Sequence, residues 1–405
     1  MHPLAYLDSL QPLSIQLGLE RVERGLEALG RPDRRFAILH VAGTNGKGST
    51  CAMAATALRA AGHRVGLYTS PHLVRFHERI QVEGVAISDG ALGALVERVR
   101  RACPWHERGK AGERLTYFEF ATLLGLEHFA REGVEVVVLE VGLGGRLDAT
   151  NAVTPLVTAV SRIGLDHVQL LGNTLDAIAR EKAGIFKRGV PAVVTQAQEP
   201  EALAALRDEA RAREAPFHVA GADYAGPVAL RGPHQRGNAA LAAAALRLLD
   251  RAGVSVGEEH VARGIAEARW PGRLEEVGGA VLDGAHNPDG AAALAAALPV
   301  LYPGRPVELV FGVLTDKDHA GMLRLLGRAV RGLHLVAPNS PRARAPADYR
   351  DLARVHCAAV DVHESFPAAL RCAREASADG AVLCVAGSLY LVGEARALLA
   401  ERAEM

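Results

Sequence analysis

Val41-Ala42-Gly43-Thr44-Asn45-Gly46-Lys47-Gly48-Ser49-Thr50 follows a short apolar run and precedes a helical pattern. A strand, a glycine turn and a helix in that order form a cradle for phosphate. Glycines let the backbone turn its N–H groups toward a polyphosphate, the helix N-terminus adds positive potential, and Lys47 supplies a point charge for the β- and γ-phosphates. The spacing departs from the usual Walker pattern, because Gly48 separates Gly46-Lys47 from Ser49 and the first glycine is displaced. An ordinary glycine-rich turn between strand and helix is the competing reading.

Outward from this turn, short β-branched runs bounded by Gly or Asp alternate with Ala/Leu-rich helical patterns. This rhythm predicts a mostly parallel sheet covered by helices. Strands are expected at residues 36–41, 64–68, 134–141, 156–161 and 190–195, with helices at 47–61, 89–102, 116–132, 174–187, 199–213 and 238–252. The rhythm pauses at Trp270-Pro271-Gly272-Arg273 and again at Gly278-Gly279, a breaker-rich stretch. It restarts with strands at 280–283, 307–312, 333–337 and 381–386. The expected architecture is a large phosphate-loop domain, residues 1–274, and a smaller Rossmann-like domain, residues 275–405.

Length and charge narrow the function classes. The 405 residues leave room for two or three domains of roughly 150 residues each. Lys plus Arg number 46 and Asp plus Glu number 46, so no global basic field steers the chain to nucleic acid or anionic lipid. The five cysteines are scattered, with no C-x-x-C pair, which argues for a reducing compartment rather than disulfides or structural zinc. The first thirty residues carry charges throughout and lack the apolar run of a signal peptide, and apolar stretches such as 291–298 are too short to span a bilayer. The expectation is a soluble, cytoplasmic, monomeric protein that binds neither nucleic acid nor membrane.

The variant loop Gly43-Thr44-Asn45-Gly46-Lys47-Gly48-Ser49 resembles the ATP loop of the Mur ligase superfamily, amide-forming ligases that activate a carboxylate as an acyl phosphate. Further segments narrow the resemblance. They are Tyr68-Thr69-Ser70-Pro71-His72-Leu73, Arg75 to Glu78-Arg79-Ile80, Leu115-Thr116-Tyr117-Phe118-Glu119-Phe120, Gly142-Leu143-Gly144-Gly145-Arg146-Leu147-Asp148-Ala149-Thr150-Asn151 and Gly164-Leu165-Asp166-His167. Glu181-Lys182-Ala183-Gly184-Ile185, His234-Gln235 with Asn238, Trp270-Pro271-Gly272-Arg273, Leu282-Asp283-Gly284-Ala285-His286-Asn287-Pro288 and Gly387-Ser388-Leu389-Tyr390 follow in order. Together they resemble the folylpolyglutamate synthase and dihydrofolate synthase family, over nearly the whole chain. The implied fold is Mur-ligase-like α/β. Small departures, His77 where Asn is more usual and Phe186 where a smaller residue is, leave the implied catalytic set untouched.

Each candidate residue has a plain structural reading beside the implied one. Thr116-x-x-Glu119 at the head of an apolar run is a capping box. The resemblance instead implies that Glu119 is a Mg²⁺ ligand, together with His167 and Ser70, with water and phosphate oxygens completing the sphere. His167 by itself reads as a hydrogen-bonded loop residue after a strand. Glu140 closes the apolar run Val136-Val137-Val138-Leu139, like the acid on the metal-holding strand of phosphate-loop ATPases, but a satisfied strand-end carboxylate explains it equally, and it stays outside the expected metal set.

Lys182 is the clearest anomaly visible in the residues alone. In the helical run 174–187 it lies four residues after Ile178 and seven after Leu175, on the apolar stripe, whereas Asp176, Arg180 and Glu181 lie off it. A snorkelling lysine is the plain explanation. Desolvation, however, frees a lysine amine for reaction with CO₂, and the resemblance implies that Lys182 is carbamylated and catalytic.

The resemblance also implies that Asn238 and Asp283 contact the ATP nucleoside, that Arg273 and Lys47 contact its phosphates, and that Thr116, Phe118, Asp148 and Ala149 line a pteroate or folate site. Asp283 and His286 follow the first strand of the second domain, and His286 is a candidate for orienting glutamate or its amine. The implied reaction joins L-glutamate to a folate, and to dihydropteroate, with ATP and Mg²⁺. Polyglutamylation alone, a UDP-muramyl-type ligase and a non-catalytic nucleotide switch are the alternatives.

Overall fold

The computed structural model describes residues 2–10 and 16–403, which fall into two compact units. The first comprises the chain up to Ile163, Asn173–Ala229 and Gly237–Ala268. The second comprises Gly164–Gly172, Leu230–Arg236 and the chain from Arg269 onward. That continuous run opens a few residues ahead of the 274/275 boundary expected from the sequence, and two short earlier segments pack with it. Among the described residues no helix is long and apolar enough to cross a membrane.

The first unit is built on eight strands: β1 (Ala37–Ala42), β2 (Val65–Tyr68), β3 (Ile80–Val82), β4 (Val85–Ala86), β5 (Val136–Glu140), β6 (Val157–Val160), β7 (Ala192–Val194) and β8 (Phe217–Val219). They lie in the order β4-β3-β2-β5-β1-β6-β7-β8. All pairs are parallel except β2 with β3 and β3 with β4. β1 and β5 are buried almost throughout, as a strand covered by helices on both faces must be, and their sequences are accordingly apolar apart from His40 within β1 and Glu140 at the end of β5. On one face Phe120, Leu123 and Leu124 from the helix Tyr117–Arg131 pack with Tyr68, Val137 and Leu139.

The second unit carries β9 (Glu275–Val277), β10 (Ala280–Leu282), β11 (Val307–Phe311), β12 (Gly332–Leu335), β13 (Ala359–Val362) and β14 (Val382–Ala386), in the order β13-β12-β11-β14-β10-β9. Only β9 runs antiparallel to its neighbour. The α/β class and the long buried strands agree with the sequence reading to within one or two residues. The hairpin β3–β4 and the strands β8, β9 and β13 were not anticipated. They are short, and β4 and β13 are largely exposed, so they lack the apolar run that marked the others.

Candidate active site

β1 ends at Ala42, and the chain turns through Gly43 to Gly46 into the helix Lys47–Ala60. The backbone N–H groups of Thr44 and Asn45 both donate to the Arg162 carbonyl, at 2.8 and 3.2 Å, fixing the turn beside the end of β6. Two glycines are required by their surroundings. Gly43 has φ +142°, and a Cβ there would overlap Ser161 Oγ; Gly46 has φ +93°, and a Cβ there would overlap the Asn238 side-chain oxygen. Asn238 therefore stands directly against this loop. Lys47 arches back over the loop, its Nζ donating to the carbonyls of Gly43 and Thr44 at 3.1 Å each. Ser49 is buried one turn into the helix.

Lys182 reaches the same loop. It lies on the buried stripe of the helix Leu175–Ala183 with Ile178 and Ala179, only 5% exposed, and its Nζ donates to the Gly43 carbonyl at 2.8 Å. The anomaly seen in the sequence is thus not a snorkelling side chain. Its amine is carried inward to the phosphate loop rather than outward to water.

The carboxylates divide differently from the expectation. Glu119 completes the capping box of the helix Tyr117–Arg131: Thr116 Oγ1 accepts from the Glu119 N–H at 3.3 Å, and the Glu119 carboxylate accepts from the Thr116 N–H at 2.7 Å. The same carboxylate is gripped by the Arg21 guanidinium, at 2.7 Å from Nη2 and 3.1 Å from Nε. Its oxygens are taken by a helix end and a cation, so the residue implied as a metal ligand is structurally engaged here. Glu140, by contrast, ends β5 in register with Val41 of β1, beside the phosphate loop. Its carboxylate accepts from the Ser70 N–H at 3.0 Å and is buried. Burial pushes the Cys51 thiol well up, with Glu140 adding to the rise and Lys47 opposing it, which places these two opposite charges around the head of the same helix. The strand signal at Glu140 was in the sequence; the Arg21 partner of Glu119 was not.

The pteroate candidates converge within the first unit. Phe118 packs 6.3 Å from Tyr68, ring to ring, and a Cβ on Gly142 would overlap its edge. Asp148 accepts from the N–H of Leu143 at 2.8 Å and from the N–H and Oγ1 of Thr150 at 3.0 and 2.6 Å, so its carboxylate shapes the turn from Gly142 to Thr150. Burial raises its pKa against those hydrogen bonds. Ala149 is buried next to it. Thr150 Oγ1 in turn meets Nε2 of the fully buried His40 at 2.8 Å.

In the second unit Asp283 ties two backbone segments together, accepting from the N–H of Leu274 at 3.0 Å and of Ala285 at 2.9 Å. Arg273 donates to the Gly272 carbonyl at 2.9 Å and lies along Gly284, where a Cβ would strike its guanidinium. Burial lowers the pKa of His234, with Asp283 raising it and Arg273 lowering it, so these three form one cluster. His286 Nδ1 meets the Gly284 carbonyl at 2.7 Å, and its Nε2 lies 3.4 Å from Asp166. Asp166 is the hub. It takes Lys317 Nζ at 2.6 Å, the Asn287 amide at 3.1 Å and the His167 N–H at 2.9 Å. Burial would raise its carboxyl pKa, but the hydrogen bond and charge of His286, with Lys317 and His167, hold it well below the ordinary range. His167 itself sits in a left-handed conformation, φ +51°, its Nε2 3.4 Å from Lys317 Nζ. Lys317 was missed, because a lone lysine between two aspartates reads as a solvated loop. Among the described residues no three His, Cys, Asp or Glu side chains form a ready-made metal cage.

Comparison with known proteins follows this geometry closely. Residues 41–223 match the Mur ligase middle domain, and residues 272–389 match the Mur ligase glutamate ligase domain. The chain is 34% identical over 411 residues to the dihydrofolate synthase/folylpolyglutamate synthase of Bacillus subtilis, covering 94% of this chain and 95% of that protein. Among solved structures, Escherichia coli FolC in complex with DHPP and ADP superposes with a TM-score of 0.87 at 34% identity, over 100% of this chain and 99% of that one. The folylpolyglutamate synthase of Mycobacterium tuberculosis complexed with ADP gives 0.90 at 30% identity, over 98% of both chains.

Proposed function

Because the chain belongs to the folylpolyglutamate synthase/dihydrofolate synthase family of Mur ligases, we propose that it is an ATP-dependent ligase that adds L-glutamate to folates and to dihydropteroate. The observation that carries this reading is the buried Lys182 amine on the Gly43 carbonyl. A protein that only sensed a nucleotide would have no need of a second, desolvated lysine at the loop.

The acceptor carboxylate attacks the γ-phosphorus of ATP, forming an O–P bond as the bond to ADP breaks. The α-amine of glutamate then attacks the acyl carbon of the resulting acyl phosphate. A C–N bond forms, inorganic phosphate leaves, and the amine sheds a proton. No covalent enzyme intermediate is needed, so the protein contributes positioning and charge neutralisation. The proposed phosphate-binding loop is Gly43, Thr44, Asn45, Gly46, Lys47, Gly48 and Ser49, with Thr44 and Asn45 holding its shape through their N–H bonds to the Arg162 carbonyl, the Lys47 ammonium as the proposed phosphate contact and Asn238 at its border. Arg273 and Asp283 are the proposed phosphate and nucleoside contacts of the second unit, and His286 its proposed glutamate-orienting residue. Water must be kept from the acyl phosphate, which it would hydrolyse.

Mg²⁺ fits the donors. Glu140 and Ser70 offer hard oxygens beside the loop, and the scarcity of acids there suits an ion that keeps waters and phosphate oxygens; His167 is a ligand on the family resemblance alone. Bound there, Mg²⁺ would neutralise phosphate charge. Glu119 is set aside for the cap and Arg21. Carbamylation of Lys182 would turn its cation into an anion that hydrogen-bonds the surrounding groups. Thr116, Phe118, Asp148 and Ala149 are the proposed pteroate-binding set. A monomeric cytoplasmic enzyme completes the reading, supported by five unpaired cysteines, four of them buried.

The test is phosphate release by the purified protein with Mg²⁺, ATP, L-glutamate and tetrahydrofolate or dihydropteroate. Release is expected only when acceptor and glutamate are both present. Equally fast release without any acceptor would sink the reading.

A further inference from the structure

Arg79 is 93% buried by residue surface, yet it has no acidic partner among the described residues. It closes the short 3₁₀ turn Phe76–Arg79 that leads into β3. Its Nε donates to His72 Nδ1 at 2.8 Å, and its guanidinium carbon lies 5.5 Å from the Tyr117 ring and 5.9 Å from the Phe76 ring. The two rings meet edge to face at 6.1 Å. Among the described residues no oxygen lies at hydrogen-bond distance from Nη1 or Nη2, and no carboxylate at ion-pair distance.

The acids that could have served are committed elsewhere. Glu78, its chain neighbour, accepts from the N–H groups of Leu73, Val74 and Arg75 at 2.7, 3.1 and 2.8 Å. Glu119 belongs to Arg21, and Glu140 to the Ser70 N–H. His72 meets Arg79 Nε through Nδ1, so it contributes an acceptor atom and no carboxylate. A largely buried guanidinium with no carboxylate beside it gains more from an anionic ligand than a fully solvated one does. Two aromatic faces steer it without neutralising it.

Its position says which anion. The Thr69 N–H donates to the Arg79 carbonyl at 3.0 Å, one residue before Ser70, so Arg79 stands close to the end of β2. On its other side is Tyr117, between Thr116 and Phe118. Arg79 thus links the two places, its backbone beside the strand end that leads to Ser70 and its guanidinium against Tyr117 of the proposed pteroate segment. The ATP phosphates already have the loop at Gly43–Ser49. A folate acceptor brings two carboxylates: the γ-carboxylate must stay nucleophilic, which a bidentate guanidinium would suppress, whereas the α-carboxylate does not react and can be held tightly.

We propose that Arg79, seated on Phe76 and Tyr117 and fixed by His72, binds the non-reacting α-carboxylate of the glutamyl acceptor and so favours folates over acceptors that lack this group. The inference rests on the ligase reading above and names a specificity residue within it.

The experiment compares a reduced folate with its analogue in which 4-aminobutyrate replaces glutamate, which keeps the reacting carboxylate and drops the other. The wild-type protein should favour the glutamyl acceptor by about 10- to 100-fold in kcat/KM, the range of a charge-assisted pair. In Arg79→Gln that ratio should collapse toward one, mainly through KM, and Arg79→Lys should fall between. A wild-type ratio near one overturns the proposal with no variant needed. So does an Arg79→Gln protein whose losses on the two acceptors are equal, the mark of a purely structural role. Calorimetric titration with both acceptors, in the presence of ADP, separates the two layers. Preferential binding of the glutamyl acceptor without turnover sinks the ligase reading and keeps Arg79's role, whereas equal or absent binding sinks the role itself.

Discussion

Lys182 Nζ donates to the Gly43 carbonyl at 2.8 Å, a buried bond between residues 139 apart in the chain. It joins the helix Leu175–Ala183 to the first glycine of the phosphate loop. If a carbamate on this amine serves catalysis, Lys182→Ala should lower ligase activity roughly 100-fold or more, a typical loss for a charged group aimed at the reacting centre. Formate or acetate should restore part of it by supplying the missing carboxylate. Wild-type activity in Lys182→Ala would end the carbamate hypothesis.

Glu140 and Glu119 should separate cleanly. Glu140→Gln is expected to raise the Mg²⁺ concentration needed for half-maximal activity, with little change in melting temperature. Glu119→Gln keeps an acceptor for the capping box but strips Arg21 of its charged partner, so it should lower stability by about 2 kcal/mol. Thr116→Ala should lose about 1 kcal/mol, the usual value of an N-cap. Activity against Mg²⁺ and thermal melts check all three. A Glu119→Gln protein with unchanged melting and a raised Mg²⁺ requirement would return Glu119 to the metal.

Acid should loosen the first unit through two buried histidines. His40 has its pKa lowered to about 3 by burial, then by Lys187, and His106 to about 4, mainly by burial. His106 Nδ1 accepts from the Leu115 N–H at 2.9 Å, so a proton there would break that bond. Both stay neutral when folded, while the unfolded chain takes up protons below about pH 6.5. Stability is therefore full above pH 6.5 and falls as pH drops from there toward 4 for His106 and 3 for His40. The slope is about 1.4 kcal/mol per pH unit for each histidine. Urea midpoints at pH 7 and 5 should show it, and the variant His40→Gln/His106→Gln should flatten it. An identical slope in that variant would refute the assignment.

Glycines of the loop should differ from glycines elsewhere. Gly43→Ala must overlap Ser161, and Gly46→Ala must overlap Asn238, each at a positive φ. Both should weaken ADP binding at least about tenfold, because the loop N–H groups can no longer converge. Gly62→Ala, with φ +90° but open space around the new methyl, should cost about 1 kcal/mol of stability and leave ADP affinity unchanged. Equal ADP affinities across the three variants would contradict the close packing of the loop.

What could be read from the chain alone followed from local pattern. The runs at β1 and β5, the glycine turn before Lys47 and the capping letters Thr116 and Glu119 all act within a few residues, and so does the 3- and 4-residue spacing that put Lys182 on an apolar stripe. Strands such as β9 and β13 escaped because three or four half-exposed residues carry no period to detect.

The sequence by itself determined the α/β alternation, the strand, glycine turn and helix around Lys47 and the place of Lys182 on an apolar stripe, since backbone preference and apolar periodicity act along the chain. Only the tertiary structure decided which partners the charges take. Glu119 is spent on Arg21, 98 residues away, Glu140 meets the Ser70 backbone, and Asp166 draws in Lys317 from 151 residues on. Arg79 is left with aromatic rings and a histidine. A charge is identical in the sequence whether it is solvated, paired or waiting for a ligand, and the difference lies in desolvation and counter-charge, which arise only when distant segments meet.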